Sequence, residues 1–195
     1  MNHSQLTIPT PPNFNFWRTV YSHGWCSLPP FKIDKEKQTF ERILELSDGS
    51  LVNCVMEGSN TRLRNNNHAG EQTGFTIQAH SNRPLNAGQK KEIKTQLRQC
   101  LRIGDDLSSF YAEARKYRQF RWVPRMGAGR LLRAPTVFED VVKMICTTNC
   151  TWALTEIMVG NITAKLGKKF DGHAYGFPTP KALAGVSEKY MRKEM

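Results

Sequence analysis

The 195 residues are 39% apolar and 23% charged, the balance of an ordinary globular protein that buries one good core or two small ones. That excludes a fibrous or disordered chain. Twenty-eight Lys and Arg stand against 17 Asp and Glu, a formal charge of +11, and such an excess favours polyanions, nucleic acid ahead of an acidic membrane surface, through counterion release and long-range steering; the plain alternative is solubility.

In chain order, residues 1–13 are polar and end in the Pro9-Thr10-Pro11-Pro12 cluster, which predicts a loose extended tail. Order begins at Phe14. Phe14, Phe16, Trp17, Val20, Tyr21 and Trp25, with Leu28 and Phe31, form an aromatic group suited to covering one face of a small sheet. Residues 38–46 and 50–57 flank Asp48-Gly49, a strong hairpin signal because both turn positions tolerate positive φ. Residues 61–64 suggest a short strand and 75–80 another, beyond the loop from Asn65 to Gly70, so the spacing predicts an antiparallel sheet of four or five strands. From Asn86 the texture changes. Ile93, Leu97, Cys100 and Leu101 recur at helical spacing, as do Leu107, Phe110, Tyr111, Ala114 and Tyr117. Pro124, Gly127 and Gly129 break the pattern and place a soft boundary within residues 121–130. The first domain is therefore read as 14–125 and the second as 126–195, with the strands-then-helices order of an α+β fold.

Thr136 and Glu139 have capping-box spacing and fix a helix start near Val137. The apolar face of Val137, Phe138, Val141, Val142, Met144 and Ile145 is broad enough to predict a mostly buried helix. Thr147-Thr148-Asn149-Cys150-Thr151 forms a polar elbow, since short polar side chains compete for backbone hydrogen bonds. A second helix continues through Trp152, Thr155, Val159, Ile162 and Leu166, with Gly167 positioned to end it in the left-handed conformation. Ser187 caps a last helix beginning at Glu188.

Cys26, Cys54, Cys100, Cys146 and Cys150 are odd in number and scattered, which reads as reduced core thiols. No Cys or His pair completes a metal site with Cys146 and Cys150, and no cofactor is implied. Gly127-Ala128-Gly129 comes after no clear strand and lacks a Lys-Ser/Thr, so it is not a nucleotide-phosphate loop. There is no signal-peptide core and no run approaching a membrane span. The expectation is an intracellular monomer, in the cytoplasm of a prokaryote or the nucleus or an organelle of a eukaryote.

Gly129-Arg130-Leu131-Leu132-Arg133-Ala134-Pro135, then Ile145-Cys146-Thr147-Thr148-Asn149, then His173-x-Tyr175-Gly176-Phe177-Pro178-Thr179-Pro180-x-Ala182-Leu183-Ala184-Gly185 together resemble the helix-hairpin-helix DNA glycosylases, most nearly their 8-oxoguanine branch. The order and spacing across residues 129–192 carry the resemblance; upstream it lies in layout. It implies an amino-terminal sheet domain followed by the opening helices of an all-α domain, double-stranded DNA containing a damaged base as partner, excision of a damaged purine, and strand cleavage where an attacking lysine is present. Flipping a nucleotide out leaves a hole that a side chain must fill. In that family the elbow reads Ser-Ser-Asn-Asn-Asn and its asparagines serve the hole and the partner base.

Thr147, Thr148 and Asn149 match the first three of those positions, while Cys150 and Thr151 replace the next two. Leu154 stands where the family's arginine reads the orphaned cytosine, and an apolar side chain cannot make that direct readout. Thr148, Asn149, Cys150, Thr151, Arg130 and Arg133 are the candidate DNA contacts, with Asn149 foremost; an ordinary helix cap is the alternative for it. Gly24 matches the family's lesion-sensing glycine, with a turn glycine as the alternative, and His23 beside it reads as structural. Residues 115–133 hold Arg115, Lys116, Arg118, Arg121, Arg125, Arg130 and Arg133 without an acid, interleaved with Tyr117, Phe120 and Trp122. Such a stripe suits a phosphate backbone, or else is a solvated helix face. The family's Leu-Pro-Gly-Val-Gly hairpin, lysine and aspartate are not in the sequence. By resemblance the catalytic residues are expected beyond Met195, and the chain is expected to be an inactive amino-terminal portion. A non-catalytic nucleic-acid-binding protein of the same fold is the second reading.

Overall fold

The computed structural model describes residues 1–63, 72–172 and 174–195. Strands β1 (Asn2–Pro9), β2 (Phe31–Asp34), β3 (Thr39–Glu45), β4 (Leu51–Leu63) and β5 (Gln72–Ser81) form one antiparallel sheet in the order β1-β5-β4-β3-β2. Its inner face is written in two-residue steps: Phe40 and Leu44 on β3, Val52, Cys54 and Met56 on β4, and Phe75, Ile77 and Ala79 on β5 are all buried. The β3–β4 connection turns at Asp48-Gly49, with the Leu46 N–H donating to Ser50 O and the Gly49 N–H to Leu46 O. Phe14, Phe16 and Phe31 of the expected aromatic group cover the sheet, Phe16 packing on Phe75 with ring centroids 5.2 Å apart and Phe31 on Phe40 at the same distance, whereas Tyr21 does not join them and stays about half exposed.

Helices α1 (Phe16–Val20), α2 (Ala87–Cys100), α3 (Ser108–Lys116) and α4 (Trp122–Arg125) precede α5 (Val137–Cys146) and α6 (Trp152–Leu166); a two-stranded hairpin of β6 (Lys169–Asp171) and β7 (Ala174–Tyr175) and the short helices α7 (Pro180–Ala184) and α8 (Glu188–Glu194) complete the chain. Asn86 and Gln89 start α2 with reciprocal side-chain caps, and Ile93, Leu97 and Cys100 are its buried face. The caps read from the sequence hold: Thr136 accepts from the Glu139 N–H and Ser187 from the Tyr190 N–H. One continuous apolar core runs from Leu6 and Ile8 through Leu132 and Val142 to Val159, Ile162 and Phe177. Among the described residues no helix is long and apolar enough to cross a membrane.

Several expectations are corrected. Residues 1–13 are not a loose tail, because β1 pairs with β5 over Asn2–Pro9 and buries Leu6 and Ile8; two inward apolar side chains suffice for an edge strand whose backbone bonds come from its neighbour. Thr61–Leu63 is the far end of β4, not a strand of its own, while Arg64 and the loop from Asn65 to Gly70 lie outside the described residues, as does His173. Gly167 ends α6 in an extended conformation, φ −75° and ψ 155°. What that position requires is the absence of a side chain, since a Cβ there would lie 2.1 Å from the Gly176 carbonyl oxygen and 2.4 Å from that of Thr163.

The largest correction concerns α5, which is not mostly buried. Val137 is 77% exposed and Val141, Met144 and Ile145 are also exposed, whereas Glu139 and Lys143 point into the protein, with Lys143 fully buried. The Glu139 side chain does not return to its own helix terminus. Its carboxylate receives both terminal nitrogens of Arg42, at 2.7 and 2.5 Å, and the Lys143 ammonium at 2.7 Å. Arg42 falls on the inner face of β3, opposite Cys54, so alternation alone drives its side chain into the core. Phe31 lies beneath both cations, 4.4 Å from the Arg42 guanidinium and 4.8 Å from Lys143 Nζ. Removing three charges from water costs several kcal/mol per ion and is sustained only by such close pairing. Burial by itself raises the Glu139 carboxyl, and the two cations overrule it, pushing the group from 4.5 down to about 2; burial, against the pull of Glu139, lowers Lys143 from its ordinary value.

Replacing Glu139 by Ala leaves two buried cations without a counterion, and urea titration at neutral pH is expected to show a loss of about 3–5 kcal/mol. A loss below ~1 kcal/mol would mean that the triad does not hold α5 to the sheet. Because the folded-state value of Glu139 lies below its unfolded one, its contribution is complete above pH 4.5 and disappears as the pH falls toward about 2. Acid titration of the unfolding midpoint is expected to fall across that window, and more shallowly in Glu139→Gln.

Candidate nucleic-acid interface

The elbow between α5 and α6 is built by side chains returning to the backbone. The Thr147 hydroxyl donates to Met144 O at 2.7 Å and the Thr148 hydroxyl to Ile145 O at 2.6 Å, satisfying carbonyls that the helix end would leave free. Asn149 then reverses the chain at φ 55°, a left-handed conformation that asparagine tolerates better than most residues. Its side chain is exposed. The cap of α6 is Thr151, whose hydroxyl accepts from the Leu154 N–H, so Asn149 is the pivot between two helices and caps neither. Cys150 turns inward. Its thiol lies 2.9 Å from Cys146 O and 3.3 Å from the Thr155 hydroxyl, which itself donates to Cys146 O; Cys150 ties the elbow shut from within instead of facing outward with Thr148, Asn149 and Thr151.

Gly24 lies against this elbow, although more than 120 residues separate them in the chain. It sits at φ 89° as the residue before a 3-10 turn at Trp25–Ser27, and a Cβ on it would come within 2.9 Å of Trp152 Cζ2. Two constraints therefore select glycine, the backbone conformation and the indole pressed against the backbone. Trp152 is the first residue of α6, and its Nε1 is within hydrogen-bonding distance of Glu156 Oε1, 3.1 Å, and Ser27 Oγ, 3.3 Å. The seam continues through Trp25, 6.4 Å from Trp152 between ring centroids, to His23, stacked on Trp25 at 4.9 Å. Asp140 closes it from α5, accepting from Trp25 Nε1 at 2.8 Å and from the Ala134 N–H at 2.9 Å. His23 is a structural neighbour: Ser22 Oγ accepts from the Leu132 N–H at 3.0 Å and lies 2.9 Å from His23 Nδ1. Burial against the seam lowers its pKa, with Asp140 pulling the other way.

The basic candidates separate by burial. Arg130 is buried, its guanidinium donating to Arg102 O, Asp105 O and the Tyr111 hydroxyl; it ties the segment before α5 to the end of α2 and is not available as a phosphate contact. The charge pattern could not reveal this, because the carbonyls that hold Arg130 come from a distant loop. Arg133 is exposed, with Nε tethered to Gln99 O at 3.0 Å, and Arg115, Arg118, Arg121 and Arg125 are exposed as well. Leu154 is exposed on the first turns of α6, and Ile157 one turn on. With Val137, Val141, Met144 and Ile145 of α5 they leave a broad uncovered apolar face on the helix pair, of the kind that marks an interaction surface. Trp152 and Asp140, the residues that weld Gly24 to the elbow, were not singled out in the sequence; Trp152 directly after a Thr cap was the available signal, and nothing local pointed to its partner.

No family model and no curated protein matches this sequence. Solved structures do match in shape. A 3-methyladenine DNA glycosylase from Archaeoglobus fulgidus superposes with a TM-score of 0.70 at 18% identity, over 96% of this chain and 61% of that one. The 8-oxoguanine glycosylase/lyase of Clostridium acetobutylicum in its apo form gives 0.62 at 17% identity, over 98% and 59%. The same enzyme in complex with double-stranded DNA containing cytosine opposite 8-oxoguanine gives 0.58 at 18% identity, over 93% and 53%. The fold is thus that of DNA glycosylases of the 8-oxoguanine and 3-methyladenine types, and the chain spans about three fifths or less of their length.

At Asn149 a β-branched side chain pays the left-handed penalty that Asn and Gly avoid, so Asn149→Val is expected to lose about 1–2 kcal/mol in thermal or urea unfolding while Asn149→Gly stays near the wild type. Gly24→Ala is expected to displace the Trp152 indole and shift the tryptophan emission; unchanged emission at unchanged stability would separate Gly24 from the elbow.

Proposed function

We propose that this chain is the duplex-holding part of a base-excision DNA glycosylase acting on a damaged purine, 8-oxoguanine or an alkylpurine. The observation that carries the reading is the junction of the exposed, left-handed Asn149 with Gly24 beneath Trp152, on a fold shared with an enzyme solved on lesion-bearing duplex DNA. In this reading Asn149, flanked by Thr148 and Thr151, enters the space left by an extruded nucleotide. The Gly24 backbone faces the altered base, and Arg133 contributes a phosphate contact. Leu154 supplies no hydrogen bonds to the orphaned base, so the protein discriminates weakly between cytosine and adenine opposite the lesion. The exposed apolar face of α5 and α6 is where further helices of a complete helical domain pack.

The residues that the family resemblance assigns to bond cleavage, a Leu-Pro-Gly-Val-Gly hairpin with its lysine and aspartate, do not occur in these 195 residues. A second reading is a non-catalytic DNA-binding protein of the same fold, and both readings predict that the 195-residue chain binds without excising. In the longer enzyme the missing groups would stabilise an oxocarbenium-like sugar and admit water or a lysine amine as nucleophile.

Electrophoretic mobility shifts on duplexes carrying 8-oxoguanine, an alkylpurine or an abasic site are expected to show tighter binding than to undamaged duplex. Asn149→Ala is expected to abolish most of that preference, and cytosine and adenine opposite the lesion to differ by less than about threefold. Incision assays with and without borohydride trapping are expected to give no product. Equal affinity for damaged and undamaged duplex would overturn the glycosylase-derived reading; excision would overturn the assignment of chemistry to groups outside this sequence.

A further inference from the structure

Beside the elbow lies a second surface of different character. Tyr21, Tyr117, Phe120 and Trp122 are each about half exposed, an unusual concentration of aromatic rings on one side of a small protein. Trp17 stacks on Tyr21 with centroids 5.5 Å apart and an interplanar angle of 26°, Tyr117 packs edge-on against Phe120 at 6.3 Å, and the Arg18 guanidinium lies 5.6 Å from the Trp122 ring centre. A cleft of about 570 Å³ lies beside Tyr21, lined by Trp17, Arg18, Tyr21, Met126 and Leu131, and Arg18 links it to the Trp122 ring. Arg18 lines the cleft, and Arg115, Arg118 and Arg125 belong to the chain segment that carries Tyr117, Phe120 and Trp122; all four arginines are exposed, and none of them is in an ion pair among the described residues. Glu113, the nearest acid in the sequence, is taken by Lys116 at 2.7 Å.

We infer that this surface binds single-stranded nucleic acid, the bases stacking on the Tyr21 and Trp122 rings and the arginines tracking the phosphates. A double helix fits it poorly: its base faces are already stacked and hidden, so half-exposed rings gain nothing from it beyond what any cation would. An unpaired strand presents both a ring face and a charge at every nucleotide, which is the combination this surface complements. The inference does not rest on the glycosylase reading, because it uses neither Asn149 nor Gly24 and concerns a different form of nucleic acid.

The test is fluorescence anisotropy of a labelled oligothymidine of about twelve nucleotides titrated with the 195-residue chain. Tyr21→Ala and Trp122→Ala are each expected to weaken binding about tenfold, with Trp122→Phe recovering most of the loss. The double variant Arg118→Ala/Arg125→Ala is expected to reduce the slope of log K against log salt by about 1.4. Far-ultraviolet circular dichroism and melting temperature serve as the folding control, and affinity for lesion duplex as the control for the elbow. Asn149→Ala is expected to leave oligothymidine binding unchanged. Wild-type affinity in folded Tyr21→Ala and Trp122→Ala overturns the inference. So does equally effective competition by polyglutamate, which would mark the surface as a site for acidic peptides.

Discussion

The arrangement of the whole protein turns on a carboxylate placed where an apolar side chain would be expected. Glu139 enters the core from α5 and is met by Arg42 from the middle of the sheet and by Lys143 one helical turn away. Because a buried charge is tolerable only against an opposite one, α5 has one rotation about its axis and one height over β3 at which the structure is possible. A purely apolar contact would permit sliding and rotation at small cost. The ion triad also explains why α5 faces the wrong way for a helix read by hydrophobicity: its polar residues are the ones with partners inside, while Val137, Val141, Met144 and Ile145 are left outside.

With α5 held in place, the elbow beyond it is held too. Asp140, adjacent to Glu139, accepts from Trp25 and from the Ala134 backbone, so the rotation chosen by the ion triad also anchors the Ser22–Ser27 segment. Trp152 then descends on Gly24 from the other side of the elbow. The result is a rigid corner in which Asn149 projects between two helices whose ends are already satisfied by Thr147, Thr148 and Thr151. An exposed side chain gains precision when every group around it is committed elsewhere, and Asn149 is in that position.

The surface charge sorts in the same way. Of the arginines in the 115–133 stripe, Arg130 is consumed by backbone carbonyls and Arg133 is partly tethered, while Arg115, Arg118 and Arg125 remain in solvent among half-exposed rings. One run of sequence thus divides into a structural clasp and a charged, aromatic surface, and the division depends on which guanidinium groups find carbonyls nearby.

Much of the local structure could be read from the chain itself. The turn at Asp48-Gly49, the helix starts at Thr136 and Ser187, the α+β order and the polar elbow depend on residues within one turn or one hairpin of each other, and such signals are complete in a short window. The tertiary structure decided the rest: that β1 is a strand, that Arg130 is buried, that Gly167 is needed for a close backbone crossing, and that Gly24 lies under Trp152. Above all it decided the facing of α5, since hydrophobic periodicity assumes that charge seeks water. A pairing between residues 97 apart, Arg42 with Glu139, reverses that assumption and leaves no trace in either neighbourhood.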